Sequence, residues 1–179
     1  MNVNNSHSYT CLILLLIFSL KTGYSQEENQ KTYKHEIRVD VFQLIVLPAI
    51  ELTYEHFIDP QSSWGGTVLI NFDNSMDYRS ENFEISPFYR LYFQKEVEAN
   101  QGFFAQAFMS LTQGNFDEYE GGPNRTDTTI GIAAGALVGA KWLNKKKASF
   151  EISIGIGRYL NNLDITTYPR INFSIGKRF

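Results

Sequence analysis

The stretch INFSIGKRF, residues 171–179, ends the chain and decides its fold. Ile171, Phe173 and Ile175 share one face of this stretch, and polar or small residues occupy the other face. Alternation with a period of two predicts a β-strand with one apolar side. Chain ends usually fray and are polar. A well-patterned end that closes on Phe179 therefore predicts a last strand that pairs with the first strand and removes the open edge of the sheet.

The same alternation recurs along the chain and predicts eight strands. Most of them exceed the average strand of about 5–6 residues and approach the roughly 9–11 residues of a tilted membrane-spanning strand. The pattern therefore predicts an all-β fold, an eight-stranded antiparallel up-and-down transmembrane β-barrel. The predicted strands are 35–46, 49–57, 63–72, 82–93, 102–112, 128–142, 148–158 and 168–179.

The predicted connections alternate between shorter and longer segments. Outer-membrane barrels have short periplasmic turns and longer external loops, and an even strand number places both chain ends in the periplasm. The longest connection, QGNFDEYEGGPNRT at 113–126, is then external. The first external connection, around Leu47 and Pro48, is predicted to be very tight.

The first residues resemble a secretion signal. Residues 11–20, CLILLLIFSL, form an apolar run about half as long as the ~20 residues that span a bilayer as a helix, and Ser25 offers a cleavage site. A buried helix or a short anchor is the alternative. We predict a signal peptide over 1–25, a flexible lead-in over 26–34, the barrel over 35–179, and a location in the outer membrane of a Gram-negative bacterium. The only cysteine, Cys11, would leave with the signal peptide.

The polar faces of the predicted strands carry six acidic and five basic residues, together with many glycines. An eight-stranded barrel has an interior just wide enough for side chains to fill, and buried charges must be paired. The sequence therefore predicts a packed ionic network rather than a pore. The predicted network residues are Glu51, Glu55, Glu84, Arg90, Lys141, Glu151, Arg170 and Arg178, and Glu36, Arg38 and Asp40 share the same faces.

The apolar faces carry large aromatic residues at one end of the predicted barrel. Aromatic side chains concentrate at membrane interfaces, so these faces predict contact with lipid and an aromatic girdle at the periplasmic end. A soluble barrel with an aromatic plug, in which every inside and outside assignment is inverted, is the alternative. The girdle residues are Trp64, Phe93, Phe103, Trp142, Phe150 and Phe179.

Three positions disturb the alternation. Pro87 and Pro169 lie inside predicted strands and lack a backbone donor, so we expect a β-bulge at each. Phe57, with His56, is off parity at the end of the second strand, where we expect an irregularity.

Four segments carry a family resemblance: HEIRVDVFQLIVLPAIELTYEHFID at 35–59, ISPFYRLYF at 85–93, GFFAQAF at 102–108 and PRINFSIGKRF at 169–179. They resemble an uncharacterised family of Bacteroidota-type outer-membrane β-barrel proteins. The resemblance covers most of the predicted mature chain, and its most specific parts are ELTYE at 51–55 and SPFYR at 86–90. It implies the fold and the outer membrane but supplies no catalytic residue. It also implies that Phe173, Ile175 and Phe179 of the last strand form a signal read by the barrel-assembly machinery.

The predicted mature chain offers little catalytic chemistry. We predict no catalytic, cofactor or metal site, and no basic patch indicates nucleic acid. A hydrolase would need a nucleophile beside a base, and His56 with Ser62 or Ser63 is the weak candidate. The sequence DEYEGGPNRTD at 117–127 offers oxygen ligands for Ca²⁺ but lacks the usual loop pattern. A solvated acidic loop is the simpler interpretation.

The remaining hypotheses concern the cell surface. The first is a structural or interaction protein whose external loops contact outer-membrane lipid, lipopolysaccharide or an unknown protein or surface ligand. A narrow solute channel or ligand-binding barrel is the second, and a lipid-modifying enzyme is the third. The sequence does not choose a ligand.

Deletion of Phe179 tests the assembly signal. We expect the deletion to reduce the amount of barrel assembled in the outer membrane far more than it lowers the unfolding temperature of barrels refolded in detergent. Quantitative membrane fractionation beside thermal unfolding of the purified protein measures both. Equal losses in the two assays would leave Phe179 as an ordinary packing residue.

Overall fold

A computed structural model of the chain confirms the all-β barrel. It describes residues 33–46, 48–72, 81–93, 100–114, 129–161 and 167–179, which belong to one compact unit, Tyr33–Phe179. The predicted signal peptide, most of the lead-in, and nearly all of the 113–126 connection lie outside these residues. The strands are β1 (His35–Asp40), β2 (Ala49–Asp59), β3 (Ser62–Asn71), β4 (Glu81–Tyr92), β5 (Gly102–Gly114), β6 (Thr129–Leu143), β7 (Ala148–Tyr159) and β8 (Thr167–Arg178).

Each strand pairs antiparallel with the next one along the chain, and β8 closes the barrel on β1. The closing register runs from Glu36 opposite Arg178 to Asp40 opposite Ser174. We call the end of the barrel that carries the β2–β3 and β6–β7 turns, together with the start of β1 and the end of β8, the turn end. The opposite end is the helix end.

The prediction of a single strand over 35–46 is wrong in its second half. The strand β1 ends at Asp40, and a short helix, α1 (Val41–Val46), follows it. The Asp40 side chain begins this helix, because its Oδ1 accepts a hydrogen bond from the backbone N–H of Gln43 at 2.8 Å. Aspartate is among the best N-cap residues, and Gln43 occupies the third helical position, as in a capping box. Residues 41–46 are therefore helical, and Leu47, where the tight connection was predicted, lies outside the described residues.

The short β1 does not extend along residues 167–173 of β8, since the β1–β8 register ends at Asp40 opposite Ser174. Asp40 satisfies part of this edge, since its Oδ2 accepts a hydrogen bond from the backbone N–H of Phe173 at 2.8 Å. Helix α1 contacts both β8 and β2. One aspartate thus starts the helix and anchors the closing strand beside it.

The predicted bulges at Pro87 and Pro169 are also wrong. The β4–β5 pairing is interrupted at Ser86 and Pro87 but resumes in the same register at Phe88. Pro169 stands opposite Ile156 in an unbroken β7–β8 register, in the part of β8 that has no β1 partner. A missing donor is tolerated at such an edge. The predicted irregularity near Phe57 is confirmed, because the β2–β3 register shifts between Phe57 and Asp59.

Glycines inside the barrel stand directly opposite aromatic rings. The cross-strand pairs are Gly65 with Phe88, Gly135 with Phe108, and Gly139 with Phe104. A methyl group at any of these glycines would lie within 2.5–2.6 Å of the ring tip. Each glycine therefore provides the space that the ring tip opposite it occupies in the narrow interior, an arrangement that also fixes the strand register.

Two adjacent glycines of β3 test this packing. We expect Gly65→Ala to destabilise the barrel by about 1–3 kcal/mol through overpacking, since its Cβ would lie 2.1 Å from the Tyr54 carbonyl oxygen and 2.5 Å from Phe88 Cζ. Gly66→Ala is the matched control, because the nearest atom to its Cβ is 4.0 Å away. Denaturant unfolding of the refolded barrels, followed by tryptophan fluorescence, compares them. Equal destabilisation would contradict the packing assigned to Gly65.

Candidate functional site

A cluster of six charged side chains fills the turn-end half of the interior. We call it the ionic cluster. Its side chains come from β1, β2, β4, β6 and β7, so strands from all around the barrel contribute. Every member has a side chain at most 4% exposed. The members are Glu36, Arg38, Glu55, Arg90, Lys141 and Glu151.

Lys141 lies among all three acids of the ionic cluster. Its Nζ is 2.7 Å from Glu55 Oε2, 2.9 Å from Glu36 Oε1 and 3.5 Å from Glu151 Oε2. It also donates a hydrogen bond of 2.7 Å to the Tyr92 hydroxyl. A lysine with no exposed surface is tolerated only where opposite charges surround it, and here the surrounding charges come from three different strands.

The two arginines complete the cluster. Arg90 binds Glu151 through both terminal nitrogens, at 2.6 and 2.9 Å, and donates two further bonds to Gln106 Oε1. Such a two-point pair fixes geometry as well as charge. Arg38 pairs with Glu36 at 2.7 Å and with Glu55.

The charges of the ionic cluster cancel, since it holds three acids and three bases. Glu55 lies at its centre, where it also accepts hydrogen bonds of 2.5 Å from Ser63 and from the Tyr92 hydroxyl. Arg178, near the end of β8, adds a contact of 3.2 Å to Glu36. The predicted residues Glu55, Arg90, Lys141, Glu151 and Arg178 thus lie together.

The other predicted network residues form a second group closer to the helix end. Arg170 lies 3.3 Å from Glu51 and 3.2 Å from Glu84, and Asn172 donates to Glu51 at 2.9 Å. Ser110 donates to Glu84 at 3.2 Å. The predicted network is therefore divided into two layers along the barrel axis.

Little space separates the two layers. A cavity of about 20 Å³, lined by residues of both groups including Arg38, Arg90, Glu51 and Arg170, lies between them. A cavity of this size holds about one water molecule. The charged side chains consequently fill this part of the interior rather than line a passage.

Sequence reasoning missed the aromatic residues that share the interior. The Arg90 guanidinium lies 3.8 Å from the ring centre of Phe104, and that of Arg178 lies 4.2 Å from the ring of Phe57. Stacking on rings suits the weakly hydrated guanidinium group. The off-parity Phe57 is thus an interior residue. The glycines on the polar faces of the strands were the sequence signal that large side chains lie opposite them in the interior. The buried rings are Phe57, Phe88, Tyr92, Phe104, Phe108 and Tyr159.

The predicted girdle residues lie at the turn end with their rings on the outer face. All are exposed except Phe150, which is partly covered. Trp142 and Phe150 contact each other at a centroid distance of 5.8 Å, and Phe150 meets Phe173 edge to face at 4.7 Å. Of the predicted assembly signal, Ile175 and Phe179 are also exposed on this face.

The structure does not bring His56 together with Ser62 or Ser63, the residues of the weak hydrolase candidate. His56 lies on the outer face, whereas Ser63 is fully buried inside and donates to Glu55. Ser62 donates to Asp59 at the adjacent turn. The candidate Ca²⁺ sequence at 117–127 lies outside the described residues. Within the described ranges, no group of three His, Cys, Asp or Glu side chains is arranged to hold a metal ion.

The described part of the chain holds no helix that is long and apolar enough to cross a membrane. No protein-family model, curated protein or solved structure matches the chain. The resemblance to a Bacteroidota-type barrel family therefore stays a prediction.

Arg90→Ala tests the ionic cluster. Removing one partner of a buried ion pair leaves an uncompensated charge and costs about 3–5 kcal/mol, so we expect a clearly lower unfolding temperature in detergent. Arg158→Ala is the matched control, because Arg158 is exposed on the outer face of β7, where a surface charge contributes little. Thermal unfolding followed by circular dichroism measures both. Similar small shifts for the two variants would contradict the cluster's role.

Proposed function

We propose that the chain is a small outer-membrane β-barrel with a filled interior, and that its role is structural or depends on contacts made by its external loops. The carrying observation is the inverted polarity of the barrel, in which charges are buried and large apolar side chains are exposed. Each strand contributes to the apolar exterior: Ile37, Leu52, Val68, Ile85, Met109, Val138, Ile154 and Ile171 are all exposed.

Such a surface favours lipid as the solvent. Soluble monomers rarely expose continuous apolar patches larger than a few hundred Å², and here the apolar face extends around all eight strands. A closed barrel also pairs its backbone groups within the sheet, as hydrocarbon requires, and where β8 extends beyond β1 the Asp40 side chain accepts the Phe173 N–H. The outward charges Arg158 and Lys177 lie near strand ends, where long side chains can reach the headgroups. Strands β2 to β8 have 10–15 residues, enough to cross a bilayer when tilted.

The two layers of charged side chains fill the interior, and this supports a role for the protein outside its lumen. A channel would need a continuous path, whereas the space between the layers holds about one water. We therefore place the interaction with lipopolysaccharide, a polymer or another protein on the connections at the helix end. The sequence at 113–126 is the longest of them. The barrel-assembly machinery is the partner that the last strand would engage.

Membrane fractionation with heat-modifiable gel mobility tests the location. We expect the processed protein in the outer-membrane fraction, with unheated samples running faster than boiled ones because the barrel stays folded in detergent. A soluble periplasmic protein and a known outer-membrane protein serve as fraction controls. Recovery in the soluble periplasm would overturn the proposal.

Planar-bilayer recordings on the same purified protein separate the structural role from a channel. We expect no stable single-channel currents from wild type or from Arg90→Ala. Large, stable currents from wild type would favour the solute-channel alternative. Lipid A mass spectrometry after gene deletion addresses the third alternative, and an altered acylation pattern that the His56→Ala variant fails to restore would favour the enzyme.

A further inference from the structure

Two histidines form a cross-strand pair on the outer face of the turn end. His35 of β1 stands opposite His56 of β2. Their neighbours in the same row are Phe179, directly after β8, whose ring lies 5.8 Å from that of His35, and Trp64 of β3, whose ring lies 5.7 Å from that of His56. The pair thus lies inside the aromatic girdle, outside the ionic cluster and independent of the function proposed above.

The backbone places these two imidazoles as close together as a sheet allows. His35 exchanges both of its backbone hydrogen bonds with Phe179, at 3.1 and 2.8 Å, so its N–H and C=O groups point away from β2. His35 and His56 are therefore a non-hydrogen-bonded pair, the arrangement in which facing side chains approach most closely. The flanking Phe179 and Trp64 rings limit the rotamers that either imidazole can adopt.

The distance between the two ring nitrogens fits one kind of metal coordination. His35 Nδ1 and His56 Nδ1 are 3.3 Å apart and share a hydrogen bond that a metal ion between them would replace. Two nitrogen ligands of a tetrahedral Zn²⁺, with bonds of about 2.0–2.1 Å, are separated by about 3.3–3.4 Å. Neighbouring ligands of a square-planar ion would be closer, at about 2.8–2.9 Å. We propose that His35 and His56 bind a tetrahedral divalent metal ion, Zn²⁺ in the first place, through their Nδ1 atoms.

The site has room for further ligands. The Tyr54 hydroxyl is hydrogen-bonded to His35 Nδ1 at 2.7 Å, and metal binding at that nitrogen would replace this bond and free the hydroxyl to bind a water on the metal. Both imidazoles are partly exposed, so water completes the coordination sphere and the ion enters from solvent. Structural zinc sites use four protein ligands. A site with two is weaker and exchanges its ion with the surrounding solution.

Metal binding would link β1 to β2 beside the closing contact of β8. A ligand that binds the folded barrel and not the unfolded chain raises stability in proportion to the logarithm of its concentration. The inferred site therefore gives free Zn²⁺ a direct effect on the barrel at the point where the chain closes.

The wild-type barrel, refolded in detergent and treated with a chelator, provides the first test. Titration with ZnCl₂ in a calorimeter should give one ion per barrel above any weaker background, and an added excess should raise the unfolding temperature. Co²⁺ substitution reports the geometry, because four-coordinate Co²⁺ absorbs visible light far more strongly than six-coordinate Co²⁺. Cu²⁺ binds most nitrogen sites more tightly than Zn²⁺, so geometry and not metal preference is the criterion.

Single substitutions identify the ligands. We expect His35→Asn and His56→Asn each to weaken Zn²⁺ binding by at least the roughly 10–100-fold that loss of an outer-shell partner costs, and to abolish the four-coordinate Co²⁺ spectrum. Trp142→Phe, a girdle substitution on β6 that does not touch either histidine strand, is the matched control and should keep both signals. Gel mobility confirms that each variant is folded. A wild-type barrel without the four-coordinate spectrum, or unchanged Zn²⁺ binding in both histidine variants, would overturn the site. The Co²⁺ spectrum of the wild-type barrel tests the site even if a histidine variant fails to fold.

Discussion

The Glu55 carboxylate, fully buried at the centre of the ionic cluster, sets the constraint on which the rest of the structure depends. A buried charge is strongly destabilising unless opposite charges and hydrogen bonds surround it. Its partners come from distant parts of the chain: Arg38 on β1, Arg90 on β4 and Lys141 on β6, which is 86 residues away. Neutralisation is therefore complete only when the barrel has closed in one register. We infer that the cluster contributes more to the choice of that register than to net stability.

Packing beside the charges imposes the same register. A one-residue slip between β5 and β6 would move Gly139 away from Phe104 and Gly135 away from Phe108, and would turn every side chain of the strand to the other face. The rings in turn support the cations, since Arg90 lies over Phe104 and Arg170 lies 5.1 Å from the ring of Phe108. Charge pairing, ring packing and an apolar exterior are consequences of one arrangement, in which the polar face of every strand points inward.

The strands and their sidedness could be predicted because alternation is a local property of the sequence. Helix α1 was missed because 41–46, VFQLIV, is a nearly continuous apolar run, and periodicity does not separate a strand from a helix in so short a run. The cap signal of Asp40 with Gln43 is also short and easily outweighed. The interior rings, such as Phe104, were missed because an apolar residue was equated with the outer face. The division of the charges into two layers depends on which strands face each other across the barrel, and no spacing along the chain records that. The His35–His56 contact likewise depends on the register of β1 against β2.

The central claim is that the charged face points inward and the apolar face meets lipid. The mature chain would have no cysteine, so single cysteines at Ile152 and Ile154 on the outer face of β7 can carry nitroxide spin labels in barrels reconstituted into lipid vesicles. Electron paramagnetic resonance then compares collisions with oxygen, which concentrates in the bilayer, and with a polar nickel chelate. The account predicts labels reached readily by oxygen and poorly by the chelate, and most strongly so nearest the middle of the bilayer. Ready access of the chelate to both labels would contradict it.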